Sequence, residues 1–276
     1  MKPEVIFKRV MNPKHIDGIY NYCDRWCERC NFTRRCLIFE LNTARVKNSG
    51  QLDLGYKAFR DDMNRIFELA VKLALQSLQN EDLTAGKKEM EYIENKIWNQ
   101  KDAIEKAKEH SISREANAYI LMTFNFFRKE ERLFKQKADE KNSRLHLGWN
   151  EKEINRETQM INDSIEVINR YNPQIWVKLI RALTAKFEGE EWQDKNGLPR
   201  DSDGSAKVAL IGIDRSMAAW GRLQQSVPEK TDKLISILVH LDKLRKHVEI
   251  LFSSARSFQR PGFDDFLFLT NKIFKE

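Results

Sequence analysis

Glycine and proline are scarce in this chain of 276 residues, eleven and six in all. No glycine-rich phosphate loop, dinucleotide fingerprint or Ser-His-Asp order can be picked out, which weighs against a nucleotide-dependent enzyme. Strand-like alternation of useful length and internal repeats are also missing, so nothing favours a sheet. No apolar run reaches the roughly 18–20 residues of a membrane-spanning helix. The opening MKPEVIFKRVMNPKH lacks the apolar stretch and small-residue cleavage site of a secretory signal. These absences predict a cytoplasmic protein without membrane association. Cysteine is nearly absent too: there are four, all between Cys23 and Cys36.

What is present is helical pattern. Apolar residues make up 41% of the chain and charged residues 32%, a balance suited to a sizeable core beneath solvated helical faces. Phe59, Met63, Ile66, Ala70 and Leu73 recur at three- and four-residue steps, as do Phe67, Val71, Ala74 and Leu78, predicting one long amphipathic helix. A second is expected over about 87–110, with Met90, Ile93, Ile97 and Ile104 inward. A third starts near Ser113 with Ile120, Phe124 and Phe127 inward, then runs into the charged extension RKEERLFKQKADEKNSR. Asn150 with Glu153 reads as a cap pair opening a helix through Ile154, Ile161, Ile165 and Ile168. Pro173 should end or kink that helix, with Asn172 capping a new segment through Trp176, Leu179, Ile180, Leu183 and Phe187.

The polar, breaker-rich stretch over about 189–205 is expected as a surface loop. AKVALIGIDRSMAAWG follows, apolar on nearly every face, and predicts a central buried helix. Ser226, Pro228 and Glu229 should start the next helix, whose core stripe is Leu234, Ile237, Leu238, Leu241, Leu244, Val248 and Leu251. Pro261-Gly262 reads as a turn before a short apolar helix. The fold expected is all-α, a helical bundle with an N-terminal cysteine-rich metal-binding loop. Residues 1–50 would form the cysteine-rich segment packed on the bundle, and residues 51–276 the bundle itself.

The cysteines give the sharpest functional signal. Cys23, Cys27, Cys30 and Cys36 fall in YCDRWCERCNFTRRC, a C-x3-C-x2-C-x5-C run. In a reducing compartment such clustering points to a metal rather than to disulfides, because thiols stay reduced and bridges over such short loops would stabilise little. Soft thiolates select zinc or iron-sulfur clusters. A structural zinc site commonly uses two separated knuckles, an arrangement absent here, whereas a cubane tolerates unequal short spacings from one compact loop. A [4Fe-4S] cluster on all four cysteines is therefore the leading expectation, and a structural Zn2+ the alternative. Tyr22, Trp26, Phe32 and Phe39 interleave with them. Trp26 and Phe32 are expected to pack around the sulfurs and keep water away.

The run CERCNFTRRC resembles the C-x2-C-x5-C element of the [4Fe-4S] loop in endonuclease III and MutY type DNA glycosylases, and in iron-sulfur nucleases of the RecB type. The segment also resembles bacterial cysteine-motif proteins to which no function is attached. The likeness covers about fourteen residues. It implies Cys27, Cys30 and Cys36 as ligands with Cys23 as the fourth, although those glycosylases have a longer spacer before the pair. Their helix-hairpin-helix with its catalytic Lys and Asp, and the nuclease strand bearing paired acids, have no counterpart here, so the resemblance carries a cluster and no enzyme activity. The first three cysteines also match the spacing of radical S-adenosylmethionine enzymes. Against that stand Arg29 where an aromatic is usual, the fourth thiol at Cys36, and the missing strands.

Other candidates are weaker. Residues 1–50 hold ten Lys or Arg against five Asp or Glu, a basic surround that would offset thiolate charge or attract nucleic acid phosphates. The carboxylate-bridged di-iron site of helical bundles needs Glu-x-x-His, which does not occur. His240 and His247, and Glu94, Glu166 and Glu249, are expected as ordinary surface or salt-bridged residues. His15 could replace a ligand only if a thiol were missing. Asp214 and Arg215 interrupt a buried run, where a carboxylate is costly unless paired; an interhelical ion pair is preferred to a functional pocket. The sequence thus predicts an iron-sulfur protein with an electron-transfer or redox role and a redox or protein partner. A structural zinc module binding protein or nucleic acid is the alternative. Whether the chain is an enzyme stays open.

Overall fold

The computed structural model describes residues 9, 12–49, 99–189 and 200–264. Among them every regular element is helical and no strand occurs, so the fold is all-α. The chain divides into two compact units: Met1–Lys101 with Gln259–Glu276, and Asp102–Phe258. The amphipathic stretch expected over Phe59–Leu78 and the apolar helix expected after Gly262 lie outside the described residues. Of the helix expected over 87–110, residues 99–109 are described and helical. No helix among the described residues is long and apolar enough to cross a membrane.

In the first unit α1 spans Leu37–Ser49. Leu37, Ile38 and Leu41 form its buried face, with Tyr20 and Cys36 packed against them. The turn expected at Pro261-Gly262 is present. Gly262 has φ 77°, and a Cβ there would stand 2.9 Å from Ile16 Cδ1 and 3.0 Å from Ile19 Cδ1. Only glycine fits both the left-handed backbone and the gap.

The second unit is a helical bundle of α2 (Ser111–Lys129), α3 (Glu131–His146), α4 (Glu151–Glu188), α5 (Asp201–Ser226) and α6 (Thr231–Leu251). α4 and α5 make the most extensive pairing, and α2 packs on both α4 and α6. Small residues let α4 and α5 approach: Gly212 lies so close to α4 that a Cβ would meet Ile175 Cγ1 at 3.0 Å and Tyr171 Cδ1 at 3.2 Å. Trp220 is fully buried at the centre. It stacks on Phe127 with centroids 5.5 Å apart and meets Phe126 edge-on at 5.2 Å, and its Nε1 donates to the Tyr119 hydroxyl at 3.0 Å. α6 buries Leu234, Ile237, Leu241, Leu244 and Val248, as its stripe predicts. The helix expected from AKVALIGIDRSMAAWG is indeed the most buried, as α5.

Four local expectations need correction. On α2 the inward face is Ile112, Ala116, Tyr119, Thr123 and Phe126, while Phe124 is 59% exposed; the neighbouring helices cover the adjacent stripe. Of the two outcomes expected at Pro173, the helix does not end there: α4, 38 residues long, runs through it. Pro173 lies on an exposed face, as does Asn169, so the Asn169 carbonyl that loses its helical donor can turn to water. Asn172 is buried within the helix and caps nothing. The polar stretch expected as loop to about 205 gives way at Asp201 to α5, whose first turn carries Asp201 and Asp203 at the positive end of the helix dipole. Asp201 is held there by Arg181 of α4 at 2.6 and 3.0 Å. Residues 190–199 lie outside the described set. Finally, Ser226 is the last residue of α5 rather than a cap, and α6 opens at Thr231 after a 3-10 turn over Pro228–Lys230. The Asn150 cap holds as expected, its side chain accepting from the Lys152 N–H at 3.0 Å.

Candidate metal centre

Three short 3-10 turns carry the cysteine segment: Ile19–Asn21, Cys27–Arg29 and Thr33–Arg35. Cys27, Cys30 and Cys36 sit at the edges of the second and third, because a chain with close-spaced polar residues and no apolar periodicity gains more from local hydrogen bonds than from a continuous helix. Cys23 follows the first turn, and its thiol donates to the Tyr20 carbonyl at 3.5 Å. Asp24 accepts from the Trp26 N–H at 3.1 Å, and Arg25 between them has φ 57°. That left-handed residue reverses the chain and costs about 1–2 kcal/mol for a side chain other than glycine. Cys27 opens the second turn and Cys30 closes it, its N–H donating to the Cys27 carbonyl at 3.2 Å. Cys36 closes the third turn, and its carbonyl accepts from the Glu40 N–H at 3.1 Å, making it the residue that caps α1.

These turns bring all four thiols to one cavity. Its walls are Cys23, Cys27, Cys30 and Cys36 with Ile19, Tyr20, Trp26, Phe32 and Phe39, the polar Asp24, Arg25 and Thr33, and Phe263 from the C-terminal segment of the same unit. The cavity is small, about 20 Å³ in volume. The cysteines are half-buried and none is in a disulfide. Trp26 is buried with the Arg29 guanidinium over its ring at 4.1 Å, and Phe32 meets Phe263 edge-on at 5.1 Å.

The electrostatics disfavour bare thiolates. Burial pushes Cys27 up to about 12, with the neighbouring Cys23 adding to the rise and Arg25 opposing it. Cys30 is raised chiefly by burial, against a hydrogen bond from the Phe32 N–H, which reaches its sulfur at 3.4 Å. Cys36 is likewise raised by burial, and the Phe39 and Ile38 N–H groups at the start of α1 act in the opposite direction. Burial is thus the main cause for all three, and the nearby Cys23 adds to the rise of each. A cation among them reverses that balance.

Among the described residues, no three His, Cys, Asp or Glu side chains are grouped closely enough to hold a single metal ion. Four thiols on one short segment are nonetheless a donor set that suits zinc and iron-sulfur centres alike.

No protein family, no curated protein and no solved structure matches this chain.

The remaining candidates fall away from the cavity. His15 is buried and bonds Glu40 of α1 through Nε2 at 2.8 Å. In the second unit, His240 donates to the Glu115 carbonyl at 2.8 Å and His247 pairs with the Glu115 carboxylate at 2.9 Å. Asp214 makes the ion pair the sequence favoured, with Arg256 at 2.6 Å and Arg245 at 3.7 Å, on a site 38% exposed. Arg256 also holds Glu249 at 2.7 Å, and Arg215 donates to the Tyr171 hydroxyl. Glu166 is exposed and partnered, and Glu94 lies outside the described residues. Sequence reasoning missed Phe263, far away in the chain, and Arg25, whose left-handed backbone has no sequence signature beyond its place between two cysteines.

Proposed function

We propose that Cys23, Cys27, Cys30 and Cys36 hold a [4Fe-4S] cluster and that the protein serves electron transfer or related redox chemistry. The single observation that carries this reading is that four half-buried cysteines, none in a disulfide, line one pocket. Bound there, such a centre would supply one-electron transfer over a potential range set by its surroundings.

This chain's own residues would set those surroundings. The Phe32, Ile38 and Phe39 N–H groups point hydrogen bonds at Cys30 and Cys36, withdrawing charge from the sulfurs and favouring the reduced state. Arg25 on the cavity wall acts in the same sense by placing a positive charge beside Cys27 and Cys36. Trp26, Phe32, Phe39 and Phe263 limit water, which otherwise hydrolyses or oxidises such centres. Thiols kept reduced for ligation also suit the cytoplasm.

Anaerobic production of the full chain tests it. A brown protein absorbing near 400 nm, with about four iron and four sulfide per chain, supports the reading, and serine at Cys27 or Cys36 should lower the iron content sharply. A colourless protein carrying about one zinc per chain would replace this reading with a structural module. No bound metal at all would remove both.

A further inference from the structure

The segment that forms the cavity is rich in arginine. From Tyr22 to Cys36 the chain carries Arg25, Arg29, Arg34 and Arg35 against Asp24 and Glu28. Arg25 lines the cavity, and Arg29 lies over Trp26, a wall residue, at 4.1 Å. Arg34 and Arg35 are exposed on the turn Thr33–Arg35, between the wall residues Thr33 and Cys36. Neither forms an ion pair with a carboxylate among the described residues. Two exposed guanidinium groups thus stand on a short turn between two wall residues with no carboxylate to neutralise them among the described residues.

We propose that the mouth of the cysteine cavity is the docking face for an acidic protein partner, engaged by Arg29, Arg34 and Arg35. That the partner is a redox protein rests on the cluster reading above; the acidic surface is argued from charge alone. Guanidinium groups present planar forks that match carboxylates in bidentate pairs. A compact positive patch steers an anionic surface into one orientation. A partner so seated brings its own one-electron carrier over the cavity. One electron lost on one side is then gained on the other, with no bond made or broken.

Nucleic acid is the competing anion, and the aromatic rings argue against it. Single strands are gripped by stacking bases on exposed rings along a basic groove. Here the Trp26 face is covered by Arg29, and Phe32 is engaged edge-on by Phe263. Arg34 and Arg35 sit on one three-residue turn rather than along a track.

The test uses the full chain with two labelled probes of matched charge, poly-L-glutamate and a single-stranded oligonucleotide, followed by fluorescence anisotropy. Poly-L-glutamate should bind the more tightly of the two and release as salt rises, since the screening length is only about 10 Å at 0.1 M. The exposed pair Arg34→Glu/Arg35→Glu should weaken it by about tenfold or more, with Arg34→Gln/Arg35→Gln intermediate. Circular dichroism confirms the fold of each variant. In the metal-free chain, saturating poly-L-glutamate should slow iodoacetamide alkylation of the cysteines, which places the peptide at the mouth. Tighter binding of the oligonucleotide, indifference to charge reversal, or binding that leaves alkylation unchanged would each overturn the proposal. Iron and sulfide content are measured separately, so failure of the cluster reading is seen independently of these arms.

Discussion

Gly262→Ala tests how the C-terminal segment closes the cysteine cavity. Gly262 has φ 77°, and placing an L side chain in that region costs about 1–2 kcal/mol. The added Cβ would stand 2.9 and 3.3 Å from Ile16 and 3.0 Å from Ile19. These are the ends of isoleucine side chains, so some shift is available, but Ile19 is only 2% exposed and has little room. Overpacking of this kind costs about 1–3 kcal/mol. Together the terms oppose the native turn by about 2–5 kcal/mol. At 1.4 kcal/mol per tenfold, that raises the population of the opened segment by roughly 30- to 4,000-fold.

Hydrogen exchange reads this directly, because the Phe263 and Asp264 amides both donate to the Arg260 carbonyl at 3.1 Å and are protected only while the turn is closed. Their exchange should accelerate by that factor, and the cavity thiols should alkylate faster once Phe263 leaves the wall. Placing Gly262→Ala in an Ile16→Ala background should shrink its effect toward the backbone part, about 1–2 kcal/mol, since most of the clash is then gone. Exchange in Gly262→Ala that stays within about threefold of the parent, where this arithmetic needs tenfold or more, would refute the reasoning.

Tyr119→Phe should destabilise the bundle by about 1–3 kcal/mol in urea unfolding, because the buried Trp220 Nε1 loses its acceptor at 3.0 Å; an unchanged midpoint would count against that bond. Glu130 is 6% exposed and bound by Lys230 at 2.7 Å and Lys233 at 2.5 Å, and hydrogen bonds from these lysines hold its carboxyl below the usual range. Its stabilisation is therefore present above the unfolded carboxylate pKa and lost as pH falls through the lower folded value. Glu130→Gln should cost about 1 kcal/mol at neutral pH, with the gap closing in acid, and a pH-independent gap would contradict the assignment. In the metal-free chain Cys27 is shifted from 9.0 to about 12, so the folded unit keeps a proton the unfolded chain has lost. Stability should be full below pH 9 and decline toward pH 12. The Cys27 alkylation profile should have its midpoint well above that of the urea-unfolded chain; coincident midpoints would dismiss the shift.

Much of the helical architecture was legible because helix periodicity is local. The Leu234–Val248 stripe of α6, the Asn150 cap and the breaker at Pro261-Gly262 each rest on residues within a few positions of one another, and all appear as expected. Clustering of the cysteines was equally plain. Where pattern misled, the deciding contact came from elsewhere in the chain. Tyr119 rather than Phe124 faces inward on α2 because Trp220 lies opposite it. The polar run at Asp201 becomes helix because Arg181 waits on α4.

The sequence by itself determined that the chain is all-α and that four thiols lie within reach of one another, since both follow from spacing along the backbone. Only the tertiary structure decided that those thiols share one cavity, that Arg25 turns into its wall, and that Phe263 returns from the far end of the chain to close it. Spacing fixes which side chains can share a face. What covers that face depends on segments remote in sequence, and their meeting is decided by packing.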